Sequence, residues 1–89
     1  MRAVITVIGK DTVGIMAAVT GVCAECNVNV MEVTQSVLQE MFAMILMSDI
    51  TGCNVSFTEF TKKMTALGKV MGLSVHVMHE DIFNSMHRI

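Results

Sequence analysis

Three thiols, three histidines, two of them close together, and one glycine-bounded turn are the groups in this sequence with chemistry to offer. Cys23-Ala24-Glu25-Cys26 has the spacing of a redox or zinc-binding pair. Either use wants a stabilised thiolate, commonly at a helix N-terminus, where the dipole favours an anion. Here Ile15, Val19, Val22, Cys23 and Cys26 recur at i, i+4, i+7, i+8 and i+11 and form one apolar helical stripe. Both cysteines then fall near the C-terminus of that helix, where the dipole opposes an anion. Cys53 is the only other cysteine, and no second CxxC completes a zinc site. The expectation is reduced core thiols, with no metal and no cofactor. His76 and His79 stand three apart in an alternating segment, so they point to opposite faces and cannot chelate one ion together. No nucleophile sits beside a base and no carboxylate pair is evident, which argues against an enzyme.

The turn is Gly9-Lys10-Asp11-Thr12-Val13-Gly14-Ile15. It joins a β-branched strand, Arg2 to Ile8, to a helix expected from about Val13 to Cys26. Gly9 is expected to let the chain leave the strand, and Asp11 or Thr12 to cap the helix. Gly14, placed in the first helical turn, would leave the backbone N–H groups there uncovered. Those groups lack partners inside the helix and carry the positive end of its dipole, so a carboxylate or phosphate could rest on them. The plainer reading is a tight turn with a small residue for close packing.

The remaining elements follow from periodicity. Asn27-Val28-Asn29-Val30 leads into a second strand, with Asn27 suited to a left-handed cap. Val28 and Val30 share one face and Asn29 points to the other. The alternation then loses phase, as a bulge within Met31 to Val33 would make it do. Leu38-Gln39-Glu40 is the expected hairpin turn, and Met41 to Ile50 the third strand, apolar on both faces as a covered central strand would be. Ser56-Phe57-Thr58-Glu59 has capping-box spacing and opens a second helix, with Phe57, Phe60, Met64, Leu67 and Met71 on its apolar face. Gly68 on that face would admit a close helix approach, and Gly72 would end the helix. Leu73 to His79 is the last strand. Asp81 could cap a short final helix sharing Ile82, Met86 and Ile89 on one face, packed on the open face of its own sheet or a partner's.

The order β-α-β-β-α-β predicts an α+β, ferredoxin-like fold: a four-stranded antiparallel sheet with two helices on one face and a C-terminal helical tail. Ala3 to Ile8 and Met41 to Met47, the most apolar strands, should be central. At 89 residues one domain is expected over 1–89, its core in 1–79 and its tail in 80–89. Net charge is −2, and Lys62, Lys63 and Lys69 fall on the outer face of one helix, so nothing favours nucleic acid. The longest apolar run, Met41 to Met47, is too short to cross a bilayer, and no signal-peptide pattern opens the chain. A cytoplasmic location without membrane association is expected. Two helices cover one face of a small sheet, so the two-sided third strand calls for a second subunit.

Val-Ile-Gly-Lys-Asp-Thr-Val-Gly-Ile, a helix of this length and then Asn-Val-Asn-Val together resemble the ACT domain. The size and the ending Ile-Phe-Asn-Ser-Met-His-Arg-Ile look like the small stand-alone ACT-domain proteins of bacteria and archaea. The resemblance implies domains that pair through their sheets and bind a small effector, usually an amino acid, where the first turn of one copy meets its neighbour. By resemblance the ligand-binding set is Gly9, Lys10, Asp11, Val13, Gly14, Ile15 and Asn29. Many relatives have Asn at the Asp11 position and Pro where this chain has Val13. With Asp11 negative, an amino acid's carboxylate falls to backbone N–H groups or Lys10, and its ammonium to Asp11. The expected function is a homodimeric, or larger, regulatory module that signals to a partner protein. The alternatives are a structural dimer without ligand and a small enzyme subunit.

Overall fold

A computed structural model describes residues 1–10 and 13–86. The β-branched opening run forms β1 (Arg2–Lys10), two residues longer than its apolar stretch. It pairs antiparallel with β3 (Met41–Asp49) on one side and β4 (Leu73–His79) on the other. β2 (Asn29–Leu38) lies outside β3, so the order is β2-β3-β1-β4 and the two most apolar strands are central as expected. With α1 (Ile15–Glu25), α2 (Phe57–Met71) and the terminal α3 (Glu80–Met86), this is the ferredoxin-like βαββαβ plan with a helical tail.

The core lies between the sheet and the first two helices. Ile5, Val7, Met44 and Leu46 meet Ile15, Val19 and Cys23 of α1 and Phe60 and Met64 of α2. Ser48 is buried among them, and its hydroxyl donates to the Ala3 carbonyl at 3.0 Å. Ser56 caps α2, accepting the Glu59 N–H at 3.1 Å, while Gly72 closes the helix in a left-handed conformation. Gly68 serves a strand rather than a second helix: a Cβ there would stand 2.7 Å from the Leu73 carbonyl oxygen and 2.9 Å from Val75 Cγ2. The missing side chain lets α2 lie directly on β4.

The phase break in β2 is a bulge. Register with β3 shifts between Val30 and Glu32, which returns Val33 and Val37 to the helix side, opposite Leu46 and Phe42. The hairpin turn narrows to Gln39-Glu40, with Gln39 at φ 59°.

The far face of the sheet is only partly covered. Val4 points away from the helical layer, next to inward-facing Ile5, yet it is wholly buried. It is α3 that packs against β1 and β4 there, tied by the ion pair between Arg2 and Glu80. Asp81 sits in the first turn of α3 instead of capping it, because the helix begins at Glu80 directly from β4. Ile82 and Met86 stay exposed; Ile89 falls outside the described residues. Beyond α3, Ile8, Met41 and Ile45 also face solvent, so only one face of β3 is closed within a single chain. Among the described residues no helix is long and apolar enough to cross a membrane.

Candidate ligand-binding turn

The turn is built differently from its expected form at both glycines. Gly9 is still within β1, opposite Phe42 and Leu73, and its φ is not positive. A Cβ on Gly9 would lie 2.6 Å from Leu73 Cδ2 and 3.3 Å from the Gly72 carbonyl oxygen. It is there for packing against β4, not for leaving the strand. Gly14 is not in the first turn of α1: it is the N-cap residue, at φ 87° and ψ 7°. The helix therefore starts at Ile15, two residues later than its apolar pattern suggested. Neither Asp11 nor Thr12 occupies the cap position; both fall outside the described residues, and with them the part expected of Asp11 in a ligand site.

The described part of the turn at Val13-Gly14 is nevertheless open. Among the described residues a side chain at Gly14 would meet nothing within 4 Å, and Val13 is 97% exposed. Gly14 has no side chain with which to cap, and no acidic residue lies in the first turn of α1 to offset the dipole. The Gly14 carbonyl accepts the Ala18 N–H at 2.9 Å, which starts the helical ladder. Ile15 is buried in the core, so it can offer a ligand only its backbone N–H. Lys10 ends β1 as an exposed residue opposite Met41.

That register brings in residues the sequence reading missed. Gly9 and Lys10 line a cleft of about 360 Å³ together with Gln39, Glu40 and Met41 of the β2–β3 hairpin. Lys10 suits a carboxylate there and Glu40 an ammonium. Pairing Lys10 with Met41 would have predicted the neighbourhood, since the hairpin turn Gln39-Glu40 immediately precedes Met41.

Asn29 is not brought to this place. It lies opposite Asp49, which lies opposite Arg2, at the other end of the sheet. Seven residue steps along β1 lead from Arg2 to Gly9, about 23 Å at strand rise. Within one chain Asn29 instead lines a cleft of about 420 Å³ with Ala24, Asn27, Val28, Asp49 and Gly52. Thr51 holds the Asp49 carboxyl below its ordinary pKa, through its side chain first and second through its backbone N–H, which donates to the carboxylate at 2.9 Å.

The thiols and imidazoles lie elsewhere. Cys23 and Cys26 are buried on the core side of α1 and its C-terminal cap, and Cys53 is half-buried. Burial first, and the neighbouring Cys26 second, push the Cys23 thiol up to about 11. Burial raises Cys26 as well. Such thiols are poor nucleophiles. His79 stacks on Phe57, ring centroids 4.3 Å apart, while His76 pairs with Ser74 on the opposite face. Among the described residues no group of three or more His, Cys, Asp or Glu is placed to hold a metal ion.

Four antiparallel strands backed by two helices, with an open glycine turn heading the first helix, define a ferredoxin-like domain of ACT type. The profile of the ACT domain family matches residues 2–78. The chain therefore belongs to the ACT domain family, a family of regulatory ligand-binding modules. It is 43% identical to the UPF0237 protein of Clostridium acetobutylicum over 89 residues, the full length of both. It is 42% identical to a UPF0237 protein of Methanocaldococcus jannaschii over 88 residues, covering 99% of this chain and 98% of that one. An ACT domain protein from Streptococcus pneumoniae superimposes with a TM-score of 0.81 at 34% identity, covering 93% of each chain.

Proposed function

We propose that this protein is a non-catalytic regulatory module, a homodimer that binds a small effector of amino-acid type and passes its occupancy to a partner protein. The observation that carries this reading is the exposed turn at Val13-Gly14. Among the described residues no side chain caps the start of α1 and no acid lies in its first turn, and the cleft of Lys10 and Glu40 is at the same end of β1. Helix N–H groups and Lys10 suit an α-carboxylate, and an acidic side chain suits an α-ammonium. Membership of the ACT family supports the reading. The deep burial of Cys23 and Cys26 leaves no activated nucleophile on α1, which favours binding over catalysis.

Thermal unfolding in the presence of each of the twenty amino acids and of common small metabolites tests it. A ligand at one hundred times its dissociation constant should stabilise the native state by about 2.7 kcal/mol and raise the midpoint by several degrees. Val13→Glu, on a side chain with no packing to lose, should abolish the shift by repelling the ligand's carboxylate while leaving the ligand-free midpoint in place. If no compound moves the midpoint, the module is a structural dimer with an empty turn.

A further inference from the structure

The three thiols do not lie apart. Cys23 and Cys26 belong to the core beneath α1, and Cys53, half-buried in the turn between β3 and α2, packs against that same core. The segments that carry Cys26 and Cys53 are laced together on either side of them. The Asn27 side-chain amide donates to the Gly52 carbonyl at 2.8 Å, and the Asn54 N–H donates to the Cys26 carbonyl at 3.0 Å. The Asn54 side-chain amide donates to the Glu25 carbonyl, also at 3.0 Å. Cys26 and Cys53 are thus the middle residues of two facing tripeptides, 25–27 and 52–54. In a trans peptide Cα53 lies on the same side of the Asn54 nitrogen as its N–H, which sets Cα53 about 4 Å from the acceptor oxygen on Cys26. Cα26 is about 2.4 Å from that oxygen, so the two Cα atoms are within about 6.5 Å, inside disulfide range. Cys23 lies one helical turn back, and its carbonyl accepts the Val28 N–H at 2.7 Å at the end of its own helix.

We infer that Cys26 and Cys53 form a redox pair, a thiol site that a small disulfide oxidises to an internal Cys26–Cys53 bond. Cys53 is the more exposed of the two and takes the first step. Its thiolate attacks one sulfur of the oxidant, the S–S bond breaks, and one thiolate of the oxidant leaves. The Cys26 thiolate then attacks the Cys53 sulfur of this mixed disulfide and expels the second. The protons of the two cysteines pass to the two released thiolates. Two protein thiols lose two electrons as one small disulfide becomes two thiols. Burial, the larger influence, raises the Cys26 pKa, and the nearby Lys63 ammonium, paired with Glu25 at 3.0 Å, lowers it. Burial therefore shields Cys26 from reagents in solution. A mixed disulfide on Cys53 meets Cys26 as a neighbour instead, which makes the second step intramolecular.

The bond closes a loop through β2 and β3, and such a cross-link takes conformational freedom chiefly from the unfolded chain. It also acts on the cleft of about 420 Å³. Asn27 and Gly52, the chain neighbours of the two cysteines, line that cleft from its α1 side and its β3 side. In the reduced protein the Asn27 amide hydrogen bond links those sides, and in the oxidised protein a covalent bond does so as well. The thiols make this end of the sheet responsive to redox poise, independently of any effector at the Val13-Gly14 turn.

Hydroxyethyl disulfide, buffered with 2-mercaptoethanol, is the probe, because it leaves the ten methionines untouched where peroxide does not. The folded protein equilibrated in it and then denatured should retain one free thiol per chain of its three. Cleavage after glutamate separates the cysteines, since Glu25 stands between Cys23 and Cys26, and Glu32 and Glu40 stand before Cys53. Mass spectrometry should find peptide 26–32 joined to peptide 41–59, from a chain that still runs as a covalent monomer. The thermal midpoint should rise by about 10 °C and return on reduction with dithiothreitol. Cys23→Ala should keep both the bond and the rise. Cys53→Ala, at a half-buried turn position that spares the fold, should lose both. Three free thiols after oxidation, or a stable mixed disulfide on Cys53, overturn the inference. So does Cys53 joined to the peptide that ends at Glu25 or to a second chain.

Discussion

Two glycines show how differently one residue type can be required. At Gly14 space is free and the backbone is the constraint: φ 87° costs an alanine about 1–2 kcal/mol however much room its methyl has. At Gly68 the φ is ordinary and space is the constraint, because a methyl would meet the Leu73 carbonyl oxygen at 2.7 Å. Backbone cannot rotate aside as a side chain can. Gly68→Ala should therefore destabilise the protein more than Gly14→Ala, while Gly21→Ala, on an open position of α1, should stabilise by up to about 1 kcal/mol. Urea unfolding of the three variants gives the order, and Gly14→Ala as stable as the parent would contradict the left-handed cap. In that ligand-free comparison Gly14→Ala is no clean probe of binding, which is why Val13→Glu is the better one. Periodicity located Gly68 on α2 but set Gly14 inside α1 instead of at its cap, and it said nothing of φ or of which neighbour came close.

At the scale of elements, α1 is a helix whose C-terminal end is made secure and whose N-terminal end is left open. Asn27 turns the chain at φ 58°, its side-chain amide donates to the Gly52 carbonyl at 2.8 Å, and the Asn54 N–H donates to the Cys26 carbonyl at 3.0 Å. The thiols beneath this staple give a pH signature. Cys23 ionises near 9.0 when unfolded and at about 11 when folded, so the unfolded state alone loses the proton between those values. Stability should be insensitive to this group below pH 9 and fall above it, by about 1 kcal/mol at pH 10 from Cys23 alone. Urea midpoints at pH 7 and pH 10 measure it. Cys23→Ala should flatten the difference, and an unchanged slope in that variant would refute the assignment.

Most of this level was legible in the sequence. Apolar period placed all four strands and both large helices, the Ser56 box placed the start of α2, and the lost phase after Val30 located the bulge. The start of α1 was not legible, because Val13 continues the apolar pattern while standing 97% exposed. Nor was the separation of Asn29 from the turn, which depends on strand register across three strands. Asp81 was misplaced because α3 follows β4 without a linker and needs no capping residue of its own.

For the whole molecule the governing fact is surface that one chain does not close. The two-sided apolar pattern of β3 was legible as a demand for cover, and α3 does not meet it, since it packs on β1 and β4 over Val4 instead. Ile8, Met41, Ile45 and the β2 valines remain. If effector and second copy complete the same site, their binding must be coupled, and the coupling is reciprocal. An effector that stabilises only the dimer should lower the dimer dissociation constant, and by the same free energy the dimer should bind effector more tightly than the monomer does. The expected form is a thermal midpoint that rises with protein concentration, and a shift by effector that is larger where the protein is dimeric than where dilution makes it mostly monomer. A ligand site contained within one chain predicts equal shifts at both concentrations at saturating effector. Equal shifts would therefore confine the site to the turn and its own hairpin, with Lys10 and Glu40 as its charged pair.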